Sequence, residues 1–238
     1  MALPKINETL NFSMKIPSTG KTVKYRPYLV KEEKVLLQAF ESGDTKTCLE
    51  AMVDTLNACI DPKAKVSVDQ LATFDVEYMF TQVRSKSVGE NSTILVKCKE
   101  CEKDNPVVVN LEELHIDVSK TDSVIDVTDN ISVKMKFPTY GSILEGDVNK
   151  LEESDTQTAL EMIASSIESV MTEDEVIDCA TQDKSEMLEF VSSMTAGQLQ
   201  GISKFLEDMP ALTHDITFDC EHCAAKNEVQ LRGLSDFF

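Results

Sequence analysis

The sequence predicts an α+β protein built from two related halves. Short segments in which apolar and polar residues alternate, typical of strands, stand beside longer amphipathic segments typical of helices. Similar segments recur in the same order in the two halves of the chain. Two Cys-x-x-Cys motifs, the first at Cys98 and the second 122 residues later at Cys220, mark corresponding points in the two halves.

The first part of the chain predicts a hairpin followed by helices. Residues 10–16 alternate as a strand, residues 17–20 carry turn residues, and residues 22–26 provide the return strand. Apolar residues then recur at helical spacing in three stretches, which are residues 31–41, 46–60 and 67–86. The pair Asp61-Pro62 is expected to end the second helix.

The rest of the chain predicts strands on both sides of each Cys-x-x-Cys motif. The segments with strand character are residues 92–97 and 107–109 around the first motif, and residues 213–219 and a short strand through Val229 and Leu231 around the second. Between the motifs we expect an acidic, polar loop over residues 117–130, a strand over residues 131–137, and mostly helix over residues 154–209.

Three segment pairs suggest a tandem duplication. Residues 13–20 resemble 134–141, residues 75–89 resemble 183–197, and the segment after Cys98 resembles the segment after Cys220, with Asn105 aligned to Asn227. We call the turn that carries each Cys-x-x-Cys motif a knuckle. The predicted halves are residues 8–118, with the N-terminal hairpin, helices and first knuckle, and residues 129–238, with helices and the second knuckle. The second half is expected to carry an extra helix near residues 198–208.

The two Cys-x-x-Cys motifs predict a metal site. A tight turn places two sulfurs on one side of the backbone, and two such knuckles supply the four thiolates that suit one structural zinc ion. We therefore expect a zinc-ribbon-like site that joins the two halves, with Cys98, Cys101, Cys220 and Cys223 as ligands. A thioredoxin-like redox pair, an iron–sulfur cluster and unligated cysteines are the alternatives. A closed four-thiolate site has no open position, which argues against zinc catalysis.

Composition limits the classes of partner. The 238-residue chain carries a formal charge of −19 and lacks a basic patch, so we expect it to bind no nucleic acid. The acidic surface either confers solubility or attracts a basic partner. No apolar run approaches the length of a membrane span, and residues 1–5 lack the pattern of a secretory signal. We therefore expect synthesis in the cytosol, where cysteine pairs favour metal ligation or a redox role over structural disulfides.

No catalytic constellation stands out, so we do not expect an enzyme. The sequence contains no P-loop, no paired-glycine fingerprint and no His-Glu-x-x-His helix. The three remaining cysteines lie on helical patterns and are interpreted as buried apolar residues: Cys48, Cys59 and Cys179. The three histidines are interpreted as loop, surface or cap residues: His115, His214 and His222.

Several ordered blocks carry a family resemblance. They are Tyr25-Arg26-Pro27, residues 29–37 (LVKEEKVLL), residues 74–80 (FDVEYMF), residues 84–90 (RSKSVGE) and the following Cys98-x-x-Cys101. Together they resemble a baseplate-hub protein family of T-even-like tailed phages (myoviruses), well over residues 20–110 and more loosely elsewhere. The resemblance implies a structural or assembly component of a contractile-tail baseplate that contacts other phage baseplate and tail proteins. It implies synthesis in the host cytoplasm, and either a place in the virion or action during assembly alone.

Two rival functions and two local alternatives remain open. The rivals are a zinc-ribbon adaptor protein in transcription or replication, which a basic groove would favour, and an enzyme with a structural zinc, which a deep polar pocket would favour. Tyr25, Tyr28, Leu29 and Val30 either present a docking edge or join the hairpin to the first helix in the core. Phe237 and Phe238 either enter the protein's own core or insert into a neighbour.

Overall fold

A computed structural model describes residue 9 and residues 11–118, 123–145 and 156–237. The chain forms two compact units. The first combines the residues up to Asp117 with the segment that begins at Ala211, and the second spans Val118–Pro210. The first unit is therefore built from two stretches of chain, and the second unit is an insertion between them.

The elements alternate between short strands and helices. In chain order they are β1 (Phe12–Lys15), β2 (Thr22–Tyr25), α1 (Val30–Ser42), α2 (Thr45–Cys59), α3 (Thr73–Ser87), β3 (Asn91–Lys97), β4 (Asp104–Asn110), β5 (Val124–Thr128), β6 (Ile131–Met135), α4 (Tyr140–Glu145), α5 (Thr156–Ser165), β7 (Ile167–Thr172), β8 (Val176–Asp178), α6 (Lys184–Ser192), α7 (Ala196–Glu207), β9 (Thr213–Asp219) and β10 (Lys226–Arg232). Among these, no helix is long and apolar enough to span a bilayer.

The first half of the chain folds much as its sequence predicts. β1 and β2 form an antiparallel hairpin, and three helices follow it. Gly43 ends α1 with a φ of 68°, and the Asp44 carboxylate then caps α2 by accepting the Thr47 backbone N–H. The chain turns at Asp61, as expected, because its carboxylate accepts the Lys63 backbone N–H. Leu10, assigned to the first strand, lies outside the described residues.

The second unit contains strands where the sequence predicted loop and helix. β5 lies within the expected loop of residues 117–130, and β7 and β8 lie within the expected helical stretch of residues 154–209; both predictions are wrong at these elements. The four strands form one antiparallel sheet in the order β5-β6-β7-β8. β7 is paired on both edges, so tertiary pairing outweighs the helix propensity of its neighbours. Residues 119–122 and 154–155 of these two stretches lie outside the described residues.

Helices α6 and α7 complete the core of the second unit. Residues of β6 and β7, among them Val133 and Ile167, are buried with Val191 and Ile202 from the helices. The predicted extra helix over residues 198–208 is confirmed as α7. The Gln198 side chain donates to the backbone carbonyl of Val127 at 3.1 Å, which ties the start of this helix to β5.

One buried apolar cluster of the first unit includes residues of β3, β4, β9 and β10. The buried members of this cluster are Ile94, Val96, Val109, Leu111, Leu114, Leu212, Ile216, Leu231 and Phe237. Phe237 is fully buried, and its carbonyl accepts the Ser92 hydroxyl at 2.9 Å. Phe237 therefore occupies the protein's own core. Phe238 lies outside the described residues.

The family-signature blocks include both buried and exposed residues: residues 74–80 are largely buried, whereas Val30, Val35 and Leu37 of residues 29–37 are exposed. The guanidinium of Arg26 donates to Glu32 at 3.0 Å and to the Ala58 carbonyl at 2.9 Å, and both side chains of the ion pair are buried. Glu32 also accepts the Leu29 backbone N–H, which starts α1. Of the four residues that could form a docking edge, Tyr25 and Tyr28 are buried and join the hairpin to the helices. Leu29 is half-buried and Val30 is 79% exposed, so the docking alternative stays open for Val30.

The compact units and the predicted repeat halves divide the chain differently. The knuckle that begins at Cys220 packs in the first unit, although it belongs to the half predicted over residues 129–238. In the weaker helical match, Asp75 lies inside α3 whereas Asp183 precedes α6 as its N-cap. Common ancestry of the two halves remains a prediction.

The two junctions of the insertion lie close to an isolated β-bridge. His115 and Thr213 form an isolated antiparallel bridge, two residues on the first-unit side of each junction. The chain therefore leaves the first unit and returns to it at neighbouring positions.

Candidate metal centre

Each Cys-x-x-Cys motif occupies the turn of an antiparallel hairpin. β3 pairs with β4 up to Lys97 and Asp104, and β9 pairs with β10 up to Asp219 and Lys226. The Cys98 backbone N–H donates to the Lys103 carbonyl at 2.9 Å, and the corresponding bond between Cys220 and Ala225 has the same length.

The two knuckles share an unusual backbone conformation. Glu102 has a φ of 57°, and Ala224, its counterpart 122 residues later, has a φ of 58°. Both residues donate their backbone N–H to the carbonyl of the first cysteine of their knuckle, each at 2.9 Å. The conformation is left-handed, which costs free energy for residues other than glycine. Both knuckles adopt this conformation despite its cost, because it closes the same tight turn.

The four cysteine sulfurs converge. The Sγ atoms of Cys98 and Cys223 lie 3.7 Å apart, those of Cys101 and Cys220 lie 3.6 Å apart, and all four lie within 4.8 Å of one another. A zinc–thiolate bond of about 2.3 Å corresponds to sulfur–sulfur edges of about 3.8 Å in a regular tetrahedron. The separations therefore fit a four-thiolate metal site, as expected from the spacing. Over the described part of the chain, no other group of three or more metal-ligating side chains was found.

Two buried asparagines connect the knuckles reciprocally. The Asn227 side-chain oxygen accepts the Lys99 backbone N–H at 2.9 Å, and the Asn105 side-chain oxygen accepts the Glu221 backbone N–H at 2.9 Å. Each asparagine thus belongs to one hairpin and binds the knuckle of the other. The Lys99 ammonium adds a contact to the Glu228 carbonyl on β10.

Backbone N–H groups favour the thiolate form of the first cysteine in each knuckle. The Cys101 N–H is the main cause that lowers the pKa of Cys98 to about 6, and the Glu100 N–H and the Asn227 amide add to it against the effect of burial. Burial opposes ionisation of Cys220, but the N–H groups of His222 and Cys223 outweigh it and lower its pKa.

Crowding of the four sulfurs has the opposite effect on Cys223. The Ala225 N–H lowers the pKa of Cys223, but burial and the sulfurs of Cys101, Cys220 and Cys98 raise it to about 12. Four thiolates at this spacing repel one another without a cation, so a metal ion that binds here must displace at least one proton. All four positions around such an ion are occupied by sulfur, which leaves none for a substrate.

The other cysteines are not part of this centre. Cys59 and Cys179 are buried, as predicted, and burial raises the pKa of Cys59 to about 11. Cys48 is half-buried and directs its thiol to the Ala39 carbonyl at 3.3 Å. The prediction of a buried cysteine is therefore confirmed for Cys59 and Cys179 and only partly for Cys48, and the Cys59 sulfur lies 3.8 Å from the guanidinium of Arg26.

The spacing of the cysteines predicted the sulfur cluster but not the role of the asparagines. Asn105 and Asn227 aligned when the two knuckles were compared, four residues after the second cysteine of each motif. That recurrence was the available signal. An asparagine at the same place in both hairpins, on the strand that leaves the turn, indicates a local hydrogen-bonding role.

The two hairpins differ on their outward faces. On β3 and β4, Leu95 is 72% exposed and Val108 is 63% exposed, with Pro106 opposite Leu95. The corresponding residues of β9 and β10 are Thr217, Gln230 and Glu228, all exposed. One hairpin therefore presents an apolar outer face, and its counterpart presents a polar one.

Comparisons with known proteins give one match. A search of curated proteins found none that match, and neither did a search of solved structures. A family model described as T4 bacteriophage base plate protein matches residues 8–238, nearly the whole chain. This agrees with the resemblance carried by the blocks between Tyr25 and Cys101. The chain belongs to the T4 bacteriophage base plate protein family and is a phage baseplate protein.

Proposed function

We propose that this protein is a structural subunit of the hub region of a contractile-tail baseplate and acts by protein–protein contacts. Family membership supports the baseplate role, and the signature blocks of the first unit support the hub assignment. The protein is made in the host cytoplasm and remains in the virion baseplate. The observation that carries the contact role is the apolar outer face of the β3–β4 hairpin, which we call the β3–β4 face (Thr93, Leu95, Pro106 and Val108).

Burial separates the residues that hold the fold from those free to make contacts. Tyr25, Arg26 and Glu32 of the signature blocks are buried and are used within the first unit. Leu95 and Val108 lie on the opposite side of their strands from the buried Ile94 and Val109. They contribute little to the core, so their exposed apolar surface is available to a partner.

Charge favours an apolar, weakly charged surface of another baseplate subunit as the partner. Residues 91–110 contain three lysines and three acidic residues, so this hairpin is neutral in a chain of formal charge −19. Residues 213–232, the counterpart hairpin, contain four acidic and two basic residues. Two copies of so acidic a chain repel each other, which disfavours self-association through this face.

The contact proposal is tested by replacing the β3–β4 face with its polar counterpart. Leu95→Thr combined with Val108→Gln introduces the residues found at positions 217 and 230. We expect a folded protein that fails to support assembly of infectious tails when it replaces the wild-type protein in infected cells. Thr217→Ala with Gln230→Ala is the matched control and should assemble normally.

Each outcome of the assembly assay bears on one claim. Infectious tails at the wild-type yield from the Leu95/Val108 variant would remove the β3–β4 face from the proposal. Normal tails in the complete absence of the protein would refute the baseplate role itself. Tails that assemble normally but contain none of this protein would assign it to assembly alone.

We further propose that the four cysteines bind one structural zinc ion. The sulfur separations and the N–H groups around Cys98 and Cys220 support this assignment. When bound, zinc supplies a crosslink between two turns that are distant in sequence. The chain's own contribution is to hold the four sulfurs together.

Metal analysis of protein purified without chelator tests the zinc proposal. We expect about one equivalent of zinc, with Cys98, Cys101, Cys220 and Cys223 protected from thiol reagents until a strong chelator is added. Less than about half an equivalent, with all four thiols freely titratable, would refute the site.

A further inference from the structure

We infer that Asn105 and Asn227 are positioning residues that arrange the four sulfurs before a metal ion binds. This inference rests on the proposed metal site but concerns a property of the chain itself. It assigns to these two side chains a role in metal affinity that the cysteine spacing alone does not predict.

Each asparagine uses both ends of its amide. Asn105 donates from Nδ2 to the Lys103 carbonyl at 2.8 Å within its own knuckle, and its Oδ1 accepts from Glu221 of the opposite knuckle. Asn227 donates to the Ala225 carbonyl at 3.0 Å, and its Oδ1 accepts from Lys99. Of the short side chains, only an amide offers a donor and an acceptor from one planar group. Aspartate in place of asparagine keeps the accepting oxygen but has no N–H donor. Serine or alanine in its place cannot make both bonds.

The accepting bonds act beside the metal-ligating residues. Lys99 directly follows Cys98, and Glu221 directly follows Cys220. The next N–H groups along the chain, those of Glu100 and His222, point at the sulfurs of Cys98 and Cys220, each at 3.4 Å. Fixing the Lys99 and Glu221 N–H groups therefore helps to orient these neighbouring N–H groups toward the sulfurs. Asn227 Nδ2 also lies 3.5 Å from the Cys98 sulfur. The asparagines therefore determine where both sulfurs lie.

Burial makes these bonds difficult to replace. Asn105 is 1% exposed and Asn227 is 2% exposed, so both amides make their hydrogen bonds largely out of contact with water, although the Lys99 and Glu221 N–H groups that they bind belong to exposed residues. A buried donor or acceptor without a partner costs more than the hydrogen bond itself contributes. The exchange is reciprocal, so loss of either asparagine releases the opposite knuckle and loosens the sulfur cluster from that side.

Metal affinity of the full-length protein tests the inference. We expect Asn105→Ala and Asn227→Ala each to weaken zinc binding by about 10- to 100-fold, as measured by competition with a chromophoric chelator. Asn110→Ala is the matched control. Asn110 lies on the same strand as Asn105, but its side chain bonds to Glu112 and Glu113, away from the sulfurs, so zinc affinity should stay at the wild-type value.

Amide hydrogen exchange of the metal-free protein separates positioning from general loss of structure. Asn227→Ala should accelerate exchange at Lys99, and Asn105→Ala at Glu221, in a crossed pattern. Asn105→Asp and Asn227→Asp keep the accepting oxygen, so they should preserve this protection while zinc affinity still falls. They also keep the test usable if an alanine variant does not fold.

The outcomes distinguish this inference from the zinc proposal. Wild-type protein that binds no zinc refutes the zinc proposal, and the crossed exchange pattern then decides alone whether the asparagines hold the knuckles. Wild-type binding with unchanged affinity in both alanine variants overturns the inference. Equal acceleration of exchange across the whole first unit also overturns it, because a local positioning role requires the crossed pattern.

Discussion

The β3–β4 and β9–β10 hairpins carry the same inner design and different outer faces. Ile94 and Ile216, which correspond at an interval of 122 residues, are both buried in one cluster, and Asn105 and Asn227 exchange equivalent bonds. On the outside, Leu95 corresponds to Thr217. Three inward pairs are identical, because these residues must fit each other within one unit: Ile94 and Ile216, Asn105 and Asn227, Val107 and Val229. The outer residues are free of this constraint and can differ with the partner of each face.

The charged pairs at the knuckle end show the same freedom. Lys97 on β3 lies opposite Asp104 on β4, whereas Asp219 on β9 lies opposite Lys226 on β10. Opposite charges face each other in both hairpins, but their order is reversed. Both hairpins therefore pair a lysine with an aspartate at this position, but the two residues have exchanged strands.

The largest expected effect comes from removing a ligand from either hairpin. Cys98→Ser and Cys220→Ser should each abolish stoichiometric zinc binding, because each knuckle supplies half of the site. At a free metal concentration about 1,000 times Kd, bound metal contributes about 4 kcal/mol. Its loss should lower Tm by roughly 8–16 °C for a chain of this size, as measured by calorimetry with and without metal.

Cys48→Ser is the control for this experiment, because Cys48 lies on α2 and away from the centre. It should retain one equivalent of zinc. A Cys220→Ser protein that keeps full zinc content and the wild-type Tm would show that the second hairpin does not ligate, and the equivalence of the two hairpins would fail.

An effect on stability of comparable size is expected at the inner apolar positions. Ile94→Ala and Ile216→Ala each remove buried methyl groups from the shared cluster and should each lower the free energy of unfolding by about 2–5 kcal/mol. Ile94 is 7% exposed and Ile216 is 6% exposed, so the two losses should be similar. Urea denaturation measures both.

The outward neighbours provide matched controls. Leu95→Ala and Thr217→Ala should each change the free energy of unfolding by less than about 0.5 kcal/mol, because both side chains face solvent. A large loss at Leu95 would contradict its assignment to an exposed face. A difference between the Ile94 and Ile216 variants of several kcal/mol would indicate that the two hairpins do not share one core.

The smallest effect is expected at the charged pairs. Lys97→Ala and Asp219→Ala each remove one member of a cross-strand pair and should destabilise the protein by about 0.2–1 kcal/mol. Added salt should reduce both effects, since these pairs are exposed. Destabilisation by only one of the two variants would show that the reversed order of charges is not equivalent.

Local sequence patterns predicted the first unit well and the second unit poorly. The helices α1 and α2 have caps or stop signals next to clear apolar periodicity, and β9 begins and ends where its alternation does. β7 and β8 were missed because their strand character depends on pairing: β7 pairs with β6, which is distant in sequence, and with β8. The residues around these two strands favour helix, so local spacing does not indicate a strand. The spacing of apolar residues therefore predicts an element well where its structure depends on residues that are close in sequence.

The candidate centre divides in the same way. The Cys-x-x-Cys pattern was sufficient to nominate Cys98, Cys101, Cys220 and Cys223, and the sulfurs do converge. The interlocking bonds of Asn105 and Asn227 were not predicted, because a hydrogen bond between knuckles depends on how the hairpins face each other. Likewise, the inclusion of both knuckles in one compact unit follows from long-range packing.

The insertion of residues 118–210 has a consequence for the order of synthesis. A bacterial ribosome that adds about 5–20 residues per second makes Cys220 roughly 6–24 s after Cys98. During that interval the first knuckle lacks the N–H partner at Glu221, and the cluster around Ile94 lacks Ile216 and Phe237. The first unit is thus begun first and completed last, so a nascent chain exposes a half-built core until the segment beginning at Ala211 emerges.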